Sequence, residues 1–417
     1  MALRKTEAPW RVGVLFAQTG CTAEIERTQL GGTLLAIEEI NANGGINGRE
    51  LQPIIYDPGA DNTLYAHLAR KLLLEDGVTS IFGCYTSASR RSVMPVVERL
   101  NGLLWYPTTY EGFEVSPNVI YTGAAPNQNS LELCRYLAET YGNRFYLIGS
   151  DYIYPRRSNR LFRELVAAER GVVVAERYVD FRAGRRDFAP IMQDIKDAAV
   201  DVIFSTVVGD ATTHLYQAYA EAGFDPRRMP IASLTTTEAE LQAMGPVTGE
   251  AHITAASYFE GIQSEANRTF VEQYKRRFGG DRSTNACAET AYFQVCLFAR
   301  ALAKANSIAT DDLRPLVLDS SFDAPQGRVH IDPVSGHANL WTRIGRANRA
   351  GQFDLIWEST GAVEPDPFLI CSSSRGQARR SAQQALAARQ RGGPRRPVSQ
   401  ERTAGAAPLP RRTAGGP

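Results

Sequence analysis

The stretch LLAIEEINANGGINGRELQPIIY, residues 34–56, contains a full helix-to-strand unit, and the fold follows from it. Leu34 to Ile40 repeats apolar residues at helical spacing. Asn43-Gly44-Gly45 then ends that helix, because glycine accepts the positive φ that a helix C-terminus calls for. Asn47-Gly48 turns the chain, and Leu51 to Tyr56 reads as the next strand.

To either side, short Val/Ile-rich runs alternate with longer amphipathic ones. Val12 to Phe16, Thr79 to Cys84, Leu103 to Tyr106 and Val119 to Thr122 are strand-length, with helical patterns between them. This alternation predicts βαβ units around a parallel sheet buried on both faces. A second series opens after Asn127-Gln128-Asn129-Ser130, whose polar side chains suit the start of a helix over Leu131 to Tyr141. It continues through Arg144 to Gly149, Val172 to Val179, Val202 to Thr206 and Pro230 to Leu234, so two α/β halves of similar build are expected. Helical patterns at Ala266 to Phe278 and Ala288 to Ala305 come after both halves. So do short strands at Arg328 to Ile331, Asn339 to Ile344 and Phe353 to Trp357. The chain is therefore expected to return to each half.

A length of 417 residues exceeds what one hydrophobic core supports. Apolar content of 43% and charged content of 22% are those of a globular protein, and no run is apolar enough to predict a membrane span. The first strand follows Met1 to Trp10 with no separate apolar segment or small-residue cleavage site, which predicts a cytoplasmic protein, with a periplasmic one as the alternative if a signal peptide has been removed. Cys21, Cys84, Cys134, Cys287, Cys296 and Cys371 show no CxxC pair and no metal-like spacing, so reduced structural thiols are expected. Residues 371–417 hold ten arginines and a single acid, Glu401, so the net charge of +1 leaves about −8 on residues 1–370. Such a body has no basic footprint for nucleic acid. The tail itself, nearly free of large apolar residues, is expected to be disordered. His67, His214, His252, His330 and His337 are scattered, and there is no nucleophile elbow, HExxH or phosphate loop. No enzyme activity, cofactor or metal is expected. Asp151 and Glu111 read as loop carboxylates rather than an acid/base pair.

The run Ala36-Ile37-Glu38-Glu39-Ile40-Asn41-Ala42-Asn43-Gly44-Gly45-Ile46-Asn47-Gly48-Arg49, followed by Tyr56-Asp57, resembles the type I periplasmic-binding-protein folds of the branched-chain amino-acid receptors. Within them, Tyr106-Pro107-Thr108, Tyr110-Glu111-Gly112-Phe113-Glu114 and Gly149-Ser150-Asp151-Tyr152 resemble the amide-sensing regulators of aliphatic amidase operons. Thr86-Ser87-Ala88-Ser89-Arg90 and Ala324-Pro325-Gln326-Gly327-Arg328 are similar to the urea and short-chain amide receptors of ABC uptake transporters as well. The resemblance implies two α/β lobes, with residues 9–123 and 253–330 in the first and 124–252 and 331–370 in the second. It also implies hinge crossings near Thr122 to Ala124, His252 to Thr254 and His330 to Pro333, and a ligand cleft at the carboxyl ends of the strands. The regulator reading implies a homo-oligomer that holds an RNA-binding antiterminator and lets it go when amide binds. The receptor reading implies an ABC permease as partner.

Residues at the strand ends supply the candidate site. Tyr85 and Ser87 fall between a strand and a helix, where a serine hydroxyl stands beside free helix N–H groups. Tyr106 and Thr108 end the next strand around Pro107. From the second half, Tyr152, Thr206 and Thr235 follow strands and are expected to complete the pocket. None of the seven is charged, which suits a small neutral amide or urea, because a buried unpaired charge is costly. A ligand of about four heavy atoms gains at most about −6 kcal/mol, a dissociation constant on the order of tens of micromolar. Thr109 stands where the amidase regulators carry proline, and its extra hydroxyl is expected to shift preference toward urea or a more polar amide.

Overall fold

The computed structural model describes residues 8–369 and, beyond them, Gly416 alone. The expectation of disorder over 371–417, and Cys371 with it, lies outside the described residues.

The first lobe opens with β1 (Trp10–Leu15), α1 (Ala23–Ala42), β2 (Leu51–Tyr56), α2 (Asn62–Leu74), β3 (Ser80–Gly83), α3 (Ser87–Arg99), β4 (Leu103–Tyr106) and β5 (Val119–Tyr121). All five strands are parallel, in the order β2-β1-β3-β4-β5. After a single 3-10 turn at Pro126–Gln128, the second lobe follows as α4 (Ser130–Thr140), β6 (Arg144–Ser150), α5 (Ile153–Ala168), β7 (Val172–Val179) and α6 (Arg185–Asp197). It continues with β8 (Val202–Thr206), α7 (Asp210–Glu221), β9 (Ile231–Ser233), α8 (Glu238–Met244), α9 (Pro246–Gly249) and β10 (Ile253–Ala256). The chain then adds α10 (Glu265–Phe278), α11 (Ala286–Ala305) and α12 (Thr310–Val317), with a small antiparallel sheet of β11 (Ser321–Ala324), β12 (Gly327–Ile331) and β13 (Ala338–Asn339). Finally β14 (Arg343–Ala347) and β15 (Phe353–Glu358) add antiparallel strands to the second sheet, whose order is β15-β14-β10-β9-β8-β6-β7. The two-lobed α/β architecture expected from the alternation is the one the chain adopts.

Each sheet is sandwiched between helices, which is why its strands are apolar on both faces. In the first lobe, α1 and α11 cover one face: Val12, Val14, Phe82 and Trp105 meet Phe293, Leu297 and Phe298. The rings of Phe82, Trp105 and Phe298 lie 5.4–6.0 Å apart, with Phe298 edge-on to both others. Each such fully buried side chain contributes about 1.5–3 kcal/mol. Close packing of α1 on α11 depends on Gly32, where a Cβ would come within 2.0 Å of the Ala288 carbonyl oxygen.

The first crossing runs from Thr122 toward the 3-10 turn. Thr122 N–H and its hydroxyl both donate to Tyr106 O, at 2.9 and 3.2 Å. The two return crossings lie later along the chain than residues 253 and 331. Ile253–Ala256 is paired with β9 and β14 inside the second sheet, and Ile331, Ala338 and Leu340 belong to the core of the first lobe. The run Asn339 to Ile344, read from sequence as one strand, is broken by the third crossing into β13 and β14. Arg343, buried in this region, ties two crossings together by donating to Ser257 O and, at 2.8 Å, to Gln326 O.

Candidate functional site

The carboxyl ends of the strands in the two lobes face each other across a cleft of about 230 Å³. Thr22, Glu26 and Asn62 line it from the first lobe, and Tyr152, Phe181 and Arg182 from the second. The lobes are in contact around it. Gly209, at φ +66°, packs so close that a Cβ there would meet the Cys21 carbonyl oxygen at 2.6 Å. Tyr85 packs on Ile25 and, across the cleft, on Ala239 of α8. Gln242 of α8 donates to Ser283 Oγ at 2.8 Å and Asp281 O at 3.1 Å in the loop between α10 and α11.

Four of the seven sequence-predicted residues form one buried cluster at the ends of β3 and β4. Tyr106 Oη donates to Tyr85 O at 2.8 Å. Ser87 donates to the Glu111 carboxylate and accepts from Arg90 Nη1 at 3.2 Å. Thr108 Oγ1 reaches Cys84 O at a long 3.4 Å and accepts from Gln29 Nε2 at 2.8 Å. Each hydroxyl thus spends its one proton inside the protein and retains acceptor capacity. Ser87 is the first residue of α3, and the helix cap is its neighbour: Thr86 Oγ1 accepts from Ser89 N at 3.0 Å.

Beneath this cluster lies a charged network that the sequence reading passed over. Arg90 is 0% exposed, pairs with Glu114 at 2.8 Å and Glu111 at 3.4 Å, and has its guanidinium 4.7 Å from each of the rings of Tyr106 and Tyr110. Burial pushes the Glu114 carboxyl up, but the adjacent Arg90 charge and hydrogen bond outweigh it and hold the group below its usual value. Glu111, read as a loop carboxylate, is therefore an ion-pair partner that fixes the Ser87 hydroxyl.

From the second lobe, Tyr152 stands at the start of α5 and lines the cleft, its ring 5.2 Å from Phe181. Thr206 donates to Asn159 Oδ1 at 2.8 Å, and Thr235 to Val207 O at 3.0 Å, so both hydroxyls are tied within their own lobe. Thr109 donates to Ala124 O at 3.1 Å and accepts from Asn129 Nδ2 at 2.8 Å, bracing the first crossing. Asp151 pairs with exposed Arg156 at 2.7 Å.

Sequence reasoning also missed Glu26. It is 1% exposed and accepts from Ala17 N at 2.7 Å, Thr22 Oγ1 at 2.6 Å and Tyr65 Oη at 2.5 Å. Burial is the largest influence on its carboxyl and pushes it up to about 7 against those donors. A signal was present: Thr22, just before α1, and Glu26, Gln29 and Thr33 within it recur at helical spacing along one buried face. Among the described residues there is no cluster of His, Cys, Asp or Glu suited to a metal, no helix long and apolar enough to cross a membrane, and five free cysteines.

A family model described as periplasmic binding protein domain matches residues 10–374. A leucine-, isoleucine-, valine-, threonine- and alanine-binding protein of Pseudomonas aeruginosa is 23% identical over 320 residues, covering 75% of this chain and 83% of that one. The solute-binding protein of an ABC transporter from Rhodopseudomonas palustris, solved with 3,4-dihydroxybenzoic acid, superposes with a TM-score of 0.77 at 22% identity. It covers 86% of this chain and 98% of that one. The isoleucine-bound branched-chain amino-acid transporter substrate-binding protein of Streptococcus pneumoniae gives 0.74 at 17% identity, covering 84% and 100%. These relatives are substrate-binding proteins. A limonene hydroxylase of Geobacillus stearothermophilus matches over only 30% of this chain and 23% of its own length. The cytoplasmic expectation is overturned: the family and the similar solute-binding proteins of ABC transporters point to the periplasm. That expectation rested on how the chain begins, which says nothing about the site and fold that the family shares.

Proposed function

The chain belongs to the periplasmic binding protein domain family, and on that premise we propose that it is the solute-binding protein of an ABC transporter, closing over a small amide or urea. The carrying observation is the use of the hydroxyl protons of Ser87, Tyr106 and Thr108 inside the protein, which leaves the cluster with acceptors toward a ligand. A carboxylate offers only acceptors, whereas an amide or urea offers two or four N–H donors. Tyr85, Tyr106 and Tyr152 supply ring walls that limit ligand size. Thr206 and Thr235 support the second wall rather than touching the ligand. The amidase-regulator reading shares this ligand but adds an antiterminator partner on motif resemblance alone, and the relatives favour the receptor reading.

The test is calorimetric titration of the purified protein with acetamide, propionamide, urea, leucine and 4-hydroxybenzoate. Acetamide or urea is expected to bind with a dissociation constant on the order of tens of micromolar. Binding of leucine or hydroxybenzoate alone would leave the fold assignment intact and remove the ligand class. Release of ammonia from any amide would replace the receptor with an enzyme.

A further inference from the structure

We propose that the face of α1 bearing Glu26 and Gln29 is the specificity wall of the cleft, selecting ligands by their N–H donors and rejecting carboxylates. This rests on the amide reading above and adds two residues to it. Glu26 lines the cleft with its carboxylate already holding three donors, from Ala17, Thr22 and Tyr65. An ionised carboxylate accepts about four hydrogen bonds, so about one acceptor position is left for a ligand N–H. A bound carboxylate would instead set its charge against the buried Glu26 carboxylate whenever that group is ionised, with the exposed Arg182 as the cation on the cleft wall.

Gln29 stands one turn further along the same face and is fully buried. One of its two amide N–H groups donates to Thr108, while its Oε1 has no hydrogen-bond partner among the described residues. An unpaired buried acceptor is destabilising, and a ligand N–H would satisfy it. The two residues are held for this task from different sides: Tyr65 of α2 and the backbone of Ala17 fix Glu26, and Thr108 fixes Gln29. Other charges near Glu26 are Asp57, which adds to the negative side, and Arg182 on the opposite wall of the cleft. Arg182 is exposed, so solvent screens its attraction for an anion far more than it screens the buried carboxylate.

The experiment compares acetamide, urea and acetamidinium with acetate, a carboxylate of the same shape as acetamide, on the wild type and on Glu26→Gln and Gln29→Met. Thermal unfolding in parallel verifies that each variant is folded. The wild type is expected to bind the nitrogen ligands and not acetate. Glu26→Gln should lower the preference for acetamidinium over acetate by about tenfold or more, and Gln29→Met should weaken acetamide by a similar factor. Unchanged preferences in both folded variants, with amide binding intact in the wild type, overturn the wall and leave the amide reading standing. A wild type that binds acetate and no nitrogen ligand overturns both. If Glu26→Gln fails to fold, Gln29→Met alone decides the wall.

Discussion

Arg90 illustrates how much of the site is built from charge that solvent never touches. Its guanidinium neutralises Glu111 and Glu114 and so fixes the direction in which Ser87 donates. Arg90→Leu leaves the buried carboxylates of Glu111 and Glu114 with the partly exposed Arg91 as their remaining ionic partner and is expected to cost about 3–5 kcal/mol in a urea unfolding titration. Ser87→Ala removes one acceptor and is expected to weaken acetamide by about tenfold with a much smaller loss of stability. A second residue-scale prediction concerns pH. Glu289, buried in the first turn of α11 and accepting from Gln326, has its carboxyl pushed up to about 8, chiefly by burial. The folded state therefore binds a proton that the unfolded state releases near pH 4.5, so this contribution is complete at low pH and is lost as pH rises through about 8. Glu289→Gln should flatten the fall in melting temperature between about pH 4.5 and about pH 8, the window in which the folded state alone holds the proton. At this scale the sequence placed Tyr85, Ser87, Tyr106 and Thr108 together at strand ends and Tyr152 at the cleft, which is how far the structure follows that reading. Glu26 and Gln29 were not legible, because a polar residue inside a long helix pattern reads as a solvated face until the helix is known to be buried.

The strands were the most legible elements, since runs such as Leu103–Tyr106 and Val202–Thr206 are short, apolar and buried on both faces. The hinges were the least. Asn339 to Ile344 is continuous in pattern, yet Asn339 ends a strand of the first lobe and Ile344 lies in the second sheet. Periodicity reports burial, and both ends of the crossing are buried, so it cannot report which lobe buries them. Ile253–Ala256 is short and half alanine, and its strand character comes from pairing on both sides with β9 and β14. The loop before α7 carries the element-scale prediction. Any side chain at Gly209 meets the Cys21 backbone across the cleft and also opposes the positive φ. Gly209→Val is expected to hold the lobes apart, weakening acetamide by about tenfold or more while the lobes themselves stay folded. Far-ultraviolet circular dichroism and calorimetry on the same sample separate the two effects.

For the molecule as a whole, two sheets joined by three crossings make a device in which ligand contributes the contacts that hold the lobes together. Closure needs a ligand with differential affinity for the closed form, and under the amide reading proposed above the acceptors of the first lobe with the ring of Tyr152 would supply it. The direct test is small-angle X-ray scattering of the purified protein titrated with acetamide, with urea and with acetate. A radius of gyration that contracts and saturates with acetamide or urea, and does not move with acetate, is the predicted result. Contraction with acetate alone, or no contraction with either nitrogen ligand at millimolar concentration, would contradict a cleft that closes on N–H donors.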